Sequence, residues 1–217
     1  MRFLLVRHGE SESNVLPERD RHHDPSLTPH GASQVAAAAQ CSKALAVHEI
    51  WTSPFLRALQ TADCFRRMLG VPTLVRTELH EQGGCYTGVY PATNKSSPGL
   101  TRAEILVRFP DFQLPPEIDS DGWWKSATYE TVDMAAGRAR RLLDMLQHIE
   151  ADDDKALLVV THRDFIRIIL EQLSVDAVGE IDNCSITSLN LNHGRFEVDY
   201  FNAAPSGVMR SVKQCSE

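Results

Sequence analysis

The sequence predicts an α/β fold: a three-layer, doubly wound, mostly parallel sheet with helices on both faces and a small insertion over the site. Three observations carry that expectation. Short apolar runs alternate with longer helical patterns, the strand, helix, strand, helix grammar of such sheets. Two of the runs, residues 3–6 and 157–160, are apolar throughout and bounded by polar turns, as expected of strands covered on both faces. The chain has 217 residues, 42% hydrophobic and 24% charged, which describes one domain able to bury about 70% of its unfolded surface without metal or disulfide staples. Disorder, a collagen-like repeat and a coiled coil are excluded on composition.

In chain order, the first strand is followed by a helix that Thr28 caps and Pro29 opens, its alanine-rich run continuing to Leu45. Ile50-Trp51-Thr52 reads as a strand. The next helix is expected to use Ser53 as N-cap and Pro54 as its first residue, with an apolar stripe at Phe55, Ala58, Leu59, Ala62 and Leu69. Thr73 to Leu79 reads as another strand. Residues 83–127 break the pattern with many prolines and glycines and one clear helix, Arg102 to Arg108, opened by the capping box Thr101-x-x-Glu104. This stretch is expected to cap the site, with Trp123-Trp124 as its packing anchor. A long helix follows over 129–150, then a buried helix from Phe165 to Leu173, a hairpin over 185–201 turning near Asn192-His193-Gly194, and a loose tail over 203–217. The expected organisation is one domain, 1–217.

A net charge of −7 without a basic block argues against a nucleic-acid partner. The first apolar run, Phe3 to Val6, is interrupted at once by Arg7, so neither a signal peptide nor a membrane span is expected. Cysteines at 41, 64, 85, 184 and 215 form no regular spacing and read as free thiols of a reducing, cytoplasmic compartment. His22-His23-Asp24 has no further ligand at a metal-site spacing and reads as a solvated turn. Asp152-Asp153-Asp154 reads as an exposed loop. Oligomeric state has no signature in the sequence.

Two segments echo each other: Leu4-Leu5-Val6-Arg7-His8-Gly9-Glu10 and Leu157-Leu158-Val159-Val160-Thr161-His162-Arg163-Asp164. Each brings a histidine to the carboxyl end of a buried strand, where doubly wound sheets keep their ligands. Arg7-His8-Gly9-Glu10-Ser11 with Asn14, then Leu27-Thr28-x-x-Gly31-x-x-Gln34, Thr52-Ser53-Pro54-x-x-Arg57-Ala58-x-Gln60-Thr61-Ala62, Leu79-His80-Glu81 and the late His162 come in order. Over residues 2 to about 173 this pattern resembles the histidine phosphatase superfamily, which contains the cofactor-dependent phosphoglycerate mutases.

The chemistry of these residue types is coherent on its own terms. Phosphoryl transfer needs mainly positioning and charge neutralisation. Arg7 and Arg57 offer planar forks for bidentate phosphate binding, and Arg57 lies in the first turn of a helix, where the dipole adds attraction. His8 is the candidate nucleophile, its ring kept neutral among arginines. Gly9 permits a tight turn that brings backbone N–H groups near the phosphate. Asn14 would add a neutral donor. Glu81 is the candidate general acid and base, with Glu10, Glu78 and Asp164 as competing carboxylates. The resemblance implies a phosphohistidine on His8 and a second pocket histidine, His162, donating to the phosphoryl oxygens. It departs from the pattern at Arg163, where glycine is common, and that arginine is expected to favour a second anionic group on the substrate. Arg102, with Lys95, Arg108 and Lys125, is a further candidate cation from the insertion. Arginines and histidines take the neutralising role of a metal, so no metal or organic cofactor is expected.

The expected function is hydrolysis of a small phosphate ester. A phosphoglycerate mutase is the first alternative, although the insertion has no adjacent arginine pair with which to grip a glycerate carboxylate. A catalytically silent phospholigand-binding adaptor is the second, since fold does not fix function.

Overall fold

The continuous apolar runs occupy the middle of a seven-stranded sheet. The computed structural model describes residues 1–17, 20–149, 154–175 and 178–205. In chain order its elements are β1 (Arg2–Arg7), α1 (Glu12–Val15), α2 (Pro29–Cys41), β2 (Val47–Thr52), α3 (Leu56–Leu69), β3 (Thr73–Val75), β4 (Tyr86–Thr87), β5 (Lys95–Ser96), α4 (Arg102–Arg108), β6 (Phe112–Gln113), α5 (Val132–Gln147), β7 (Ala156–Thr161), α6 (Arg163–Gln172), β8 (Ile186–Asn192) and β9 (Arg195–Ala203). The sheet order is β6-β3-β2-β7-β1-β8-β9. The first five strands run parallel, and β8 and β9 add an antiparallel hairpin beside β1.

Alternation along the strands divides the core into two layers. Leu4, Val6, Ile50, Leu158 and Val160 pack on one face with Val35 and Ala39 of α2 and Leu59 and Phe65 of α3. Phe3, Leu5, Trp51, Leu157 and Val159 pack on the other with Leu142 of α5 and Phe165 and Ile169 of α6. The sheet is thus α/β with helices on both faces, as its sequence pattern requires.

The element boundaries show where side chains override pattern. Thr28 caps α2, its Oγ1 accepting from Gly31 N–H at 2.9 Å. That helix stops at Cys41 rather than Leu45, because Ser42 Oγ donates back to Ala38 O and the chain tightens into one 3₁₀ turn over Ser42–Ala44. The start expected at Pro54 is also corrected: Phe55 is the cap residue and α3 begins at Leu56. Ser53 Oγ faces His162, and the Leu56 N–H is capped instead by Asp24 Oδ1 at 2.7 Å, from 32 residues upstream. Gly70, left-handed at φ 69°, closes α3.

The strand expected over 73–79 ends at Val75, where pairing with β2 runs out at Thr52, and a 3₁₀ turn over Thr77–Leu79 follows. Residues 83–127 do not all leave the sheet. Phe112-Gln113 returns to it as β6, beside β3, a two-residue strand too short to show periodicity. Trp123 is buried against Phe55, ring centroids 4.8 Å apart. α5 starts at Val132, not 129, because Thr131 caps it; α6 starts two residues before Phe165. His193 and Gly194 both have positive φ, the turn that matches the strand twist of a hairpin. Asp152, Asp153 and the tail after residue 205 lie outside the described residues.

One close approach locks the segment after β1 onto α2. A Cβ on Gly31 would stand 1.9 Å from Glu10 O, and one on Gly9 would stand 2.8 Å from Gly31 O. Gly31→Ala therefore forces backbone apart just beyond His8. It is expected to lower stability by about 1–3 kcal/mol, read as a lower urea midpoint at unchanged slope.

Candidate active site

Because β1 and β7 are hydrogen-bonded neighbours with Arg7 opposite Thr161, the residues that follow them emerge side by side. His8 N–H donates to Thr161 O at 3.1 Å, and the His8 and His162 rings meet edge to face at 5.1 Å. A cavity of about 440 Å³ opens at this carboxyl end, with Arg7, His8, Arg57, Glu81, Asn14 and Arg163 on its wall.

The state of His8 follows from its contacts. Its Nδ1 lies 2.7 Å from Gly9 O, a pure acceptor, so Nδ1 carries the proton and Nε2 keeps its lone pair. Arg57 Nε donates to that Nε2 at 3.1 Å. Burial first, then the charges of Arg57 and Arg7, hold the His8 pKa well below the usual imidazole value. The ring is therefore neutral at physiological pH.

Arg57 is presented by the first turn of α3, its guanidinium carbon 4.2 Å over the Phe55 ring. Arg7 donates from Nη1 to Ile181 O at 2.6 Å, while its Nε is buried without a hydrogen-bond partner. Burial and then the neighbouring Arg163 lower the pKa of Arg7. Crowded, desolvated cations of this kind are relieved by an anion placed between them.

His162 is fully buried behind His8. Its Nε2 lies 2.7 Å from Ser53 Oγ, which itself accepts from Phe55 N–H and so has its own hydrogen to donate. That arrangement puts the ring proton on Nδ1, an atom buried without a hydrogen-bond partner. Burial first, then Arg57, keeps this ring neutral as well.

Glu81 stands on the turn after β3, at the N-terminus of α6. Its Oε1 accepts from the N–H groups of Gln82 at 2.9 Å and Phe165 at 3.0 Å. Burial, then the like charge of Asp164, raises its pKa to about 7, against the pull of Arg57 and the backbone donors. Of its competitors, Glu10 accepts from Thr28 Oγ1 at 2.6 Å, Asp164 pairs with Arg163, and Glu78 pairs with Arg76 away from the cavity.

Two expected roles change. Gly9 does not offer its N–H to the cavity; the group donates to Thr61 Oγ1 at 3.2 Å, and the glycine serves the close approach to α2. Arg102 does not reach the cavity either. Its guanidinium donates to the carbonyls of Leu114, Pro115 and Ile118 and so ties down the loop after α4. Asn14 lines the cavity with Oδ1 already accepting from Ser11 N–H, which leaves the amide N–H₂ as its donor. Arg163 lines it too, with Nε on Asp164 Oδ1 at 3.1 Å.

Sequence reasoning missed Asn183, whose Nδ2 donates to His8 O at 2.8 Å, because nothing marks an asparagine in a loop before β8. It also read His22 to Asp24 as solvent-facing. His22 and His23 do line the cavity mouth, but Asp24 caps the helix that holds Arg57, and burial raises its carboxyl to about 7. Among the described residues no group of three or more His, Cys, Asp or Glu could hold a metal, and no helix is long and apolar enough to cross a membrane.

The chain is similar to proteins of known kind. A probable phosphatase of Schizosaccharomyces pombe is 26% identical over 202 residues, 90% of this chain and 64% of that protein, so the chain spans less than two thirds of that relative's length. A 2,3-bisphosphoglycerate-dependent phosphoglycerate mutase of Sphingopyxis alaskensis is 24% identical over 209 residues, 89% of this chain and 90% of that one. A mycobacterial glucosyl-3-phosphoglycerate phosphatase superposes with a TM-score of 0.65 at 24% identity, covering 93% of this chain and 99% of that one. The family model for the histidine phosphatase superfamily (branch 1) matches residues 3–204, nearly the whole sequence with every strand of the sheet in it, and the chain belongs to that superfamily.

Proposed function

We propose that this protein hydrolyses a small phosphate monoester through a phosphohistidine on His8. The observation that carries the reading is the pairing of an unprotonated His8 Nε2, ringed by Arg57, Arg7 and Arg163, with a carboxyl at Glu81 that still holds its proton near neutral pH. On substrate binding the Arg57 N–H groups turn from the His8 lone pair to the phosphoryl oxygens. Nε2 then attacks phosphorus, the ester P–O bond breaks, and Glu81 protonates the departing oxygen. Water attacks the phosphohistidine in the second step; Glu81 takes its proton, the N–P bond breaks, and phosphate leaves. His162 Nδ1–H and the Asn14 amide supply donors to the phosphoryl oxygens as charge develops.

Hydrolysis is favoured over phosphoryl return because the cations of 83–127 stay away from the cavity. Lys125 is paired with Asp119, Arg102 is spent on carbonyls, and neither Lys95 nor Arg108 lines the wall. Residues 83–127 act as a cap that selects the ester, through Gly84, Tyr86, Thr87 and Gly88 on the cavity wall. The test is incubation with ³²P-labelled esters followed by a quench. Acid-labile, base-stable label on the protein together with phosphate release supports the reading; exchange of 2- and 3-phosphoglycerate outrunning phosphate release selects the mutase, and neither label nor turnover selects the adaptor.

Arg163 extends the reading to substrate choice. One of its N–H groups is held by Asp164, and the others face the cavity, placed for a second anionic group. Arg163→Gly is expected to lower kcat/KM about 10-fold for esters that carry a carboxylate and to leave neutral alkyl phosphates nearly unchanged, the scale of one charge-assisted hydrogen bond. An unchanged ranking across the ester panel overturns this assignment.

A further inference from the structure

Glu81 sits on a turn, yet a proton donor must be held within hydrogen-bond reach of the leaving oxygen. What holds it is a buried ion pair that sequence reasoning passed over. Arg138, 5% exposed in the middle of α5, extends its guanidinium beneath the turn. Its Nη1 donates to Glu78 O at 2.6 Å and to His80 O at 3.0 Å. The carbonyl between them, Leu79 O, accepts from Thr161 Oγ1 at 2.8 Å, at the end of the strand that delivers His162. All three carbonyls leading into Glu81 are therefore tied to fixed elements.

Glu130 closes the clamp. Its carboxylate accepts from Arg138 Nε at 2.9 Å and Nη2 at 2.6 Å, a bidentate pair. Burial opposes that charge, but the hydrogen bonds from Arg138 and His80 outweigh it and hold the Glu130 pKa at about 2. The backbone of the same residue grips the other side of Glu81: its N–H donates to Gly83 O at 3.1 Å, and its carbonyl accepts from Gln82 Nε2 at 2.7 Å. Arg138 also lies 3.8 Å over the ring of Phe165, whose N–H donates to Glu81 Oε1. One ion pair thus touches the chain before Glu81, the chain after it, and the helix residue that hydrogen-bonds its carboxyl.

Fold stability alone is a weak reason for such a pair, since a well-packed apolar replacement is often as stable. We infer that Arg138 and Glu130 are positioning residues for proton transfer: they fix where the Glu81 carboxyl stands relative to the leaving oxygen without touching substrate. The inference rests on Glu81 being the proton donor. Arg138 faces the backbone of the turn and not the carboxyl, so it acts through geometry and leaves the charge state of Glu81 largely alone.

The test compares the full-length protein with Arg138→Met and Arg138→Lys, using Glu81→Gln as benchmark, on a simple alkyl phosphate and on p-nitrophenyl phosphate, whose leaving group needs little protonation. Misplacing a proton donor by about 1 Å is expected to lower kcat on the alkyl ester roughly 10- to 100-fold in Arg138→Met, with about 3-fold or less on the aryl ester. KM for both esters stays near its starting value, the pH limb of the alkyl reaction stays where it was, and Arg138→Lys falls between. Equal losses on both esters would mean that Arg138 serves the fold or the phosphate pocket, and the inference is then wrong. If Glu81→Gln discriminates between the esters and Arg138→Met does not, this inference alone fails. If Glu81→Gln does not discriminate, the proton-donor reading fails and takes this one with it. Should Arg138→Met not fold, Arg138→Lys carries the comparison, since it keeps a cation beside Glu130 but cannot span two carbonyls.

Discussion

His8→Ala is expected to lower turnover of every phosphate ester by about 10⁴-fold or more and to abolish the acid-labile label, because no second group can take over as nucleophile. His162 is the nearest imidazole, but it is buried behind His8 with Nε2 engaged by Ser53. The substitution is not expected to unfold the protein. His8 contributes one ring contact and one local hydrogen bond to Gly9 O, while its backbone N–H bond to Thr161 survives. Binding of vanadate or phosphate to the variant, measured by calorimetry, separates loss of chemistry from loss of the pocket. Residual turnover within 10-fold of wild type would falsify the assignment of the nucleophile.

Glu81→Gln carries the second large effect, and its size depends on the substrate. For alkyl esters, which leave poorly as alkoxides, a fall of roughly 10²- to 10⁴-fold in kcat is expected. For aryl esters phosphorylation of His8 needs little help, so the loss shrinks to the hydrolysis step, and label accumulates on the protein. The pH dependence follows in sign from the raised pKa. Burial and Asp164 hold the Glu81 carboxyl at about 7, so the acid form needed in the first step is lost as pH rises through that value. The kcat/KM for an alkyl ester should decline above pH 7, and that limb should be absent in Glu81→Gln. His8 contributes no limb between pH 6 and 8, since its pKa lies well below the ordinary imidazole range. A profile for Glu81→Gln that keeps the same decline assigns it to another group, with Asp24, raised to about 7 beside Arg57, the first to test.

How much of this was legible in the sequence depends on whether the signal was local. The central strands were readable because strands covered on both faces are apolar at every position. Thr28 and Thr101 were readable because a cap lies within three residues of the N–H it serves. Ser53 was misread for the complementary reason: it has the look of a cap, but its hydroxyl serves His162, 109 residues away, and the cap comes from Asp24. Arg102 was credited to the cavity because charge alone does not show whether a guanidinium meets a ligand or three carbonyls. Arg138 passed unremarked because its partners, the carbonyls of Glu78 and His80, are backbone atoms, to which every sequence is equivalent. Motif residues that face a ligand were found, and residues that hold those in place were not.

The neighbouring placement of β1 and β7 has a consequence for how such a protein diversifies. The distance between His8 and His162 is set by the spacing of paired strands, about 4.8 Å, at the middle of the sheet. No loop length enters it. Residues 83–127 can therefore gain, lose or exchange segments, and so trade one ester for another, while the pair of histidines keeps its geometry. The sheet behaves as a ruler for the chemistry, and selectivity is written on parts that the ruler does not measure.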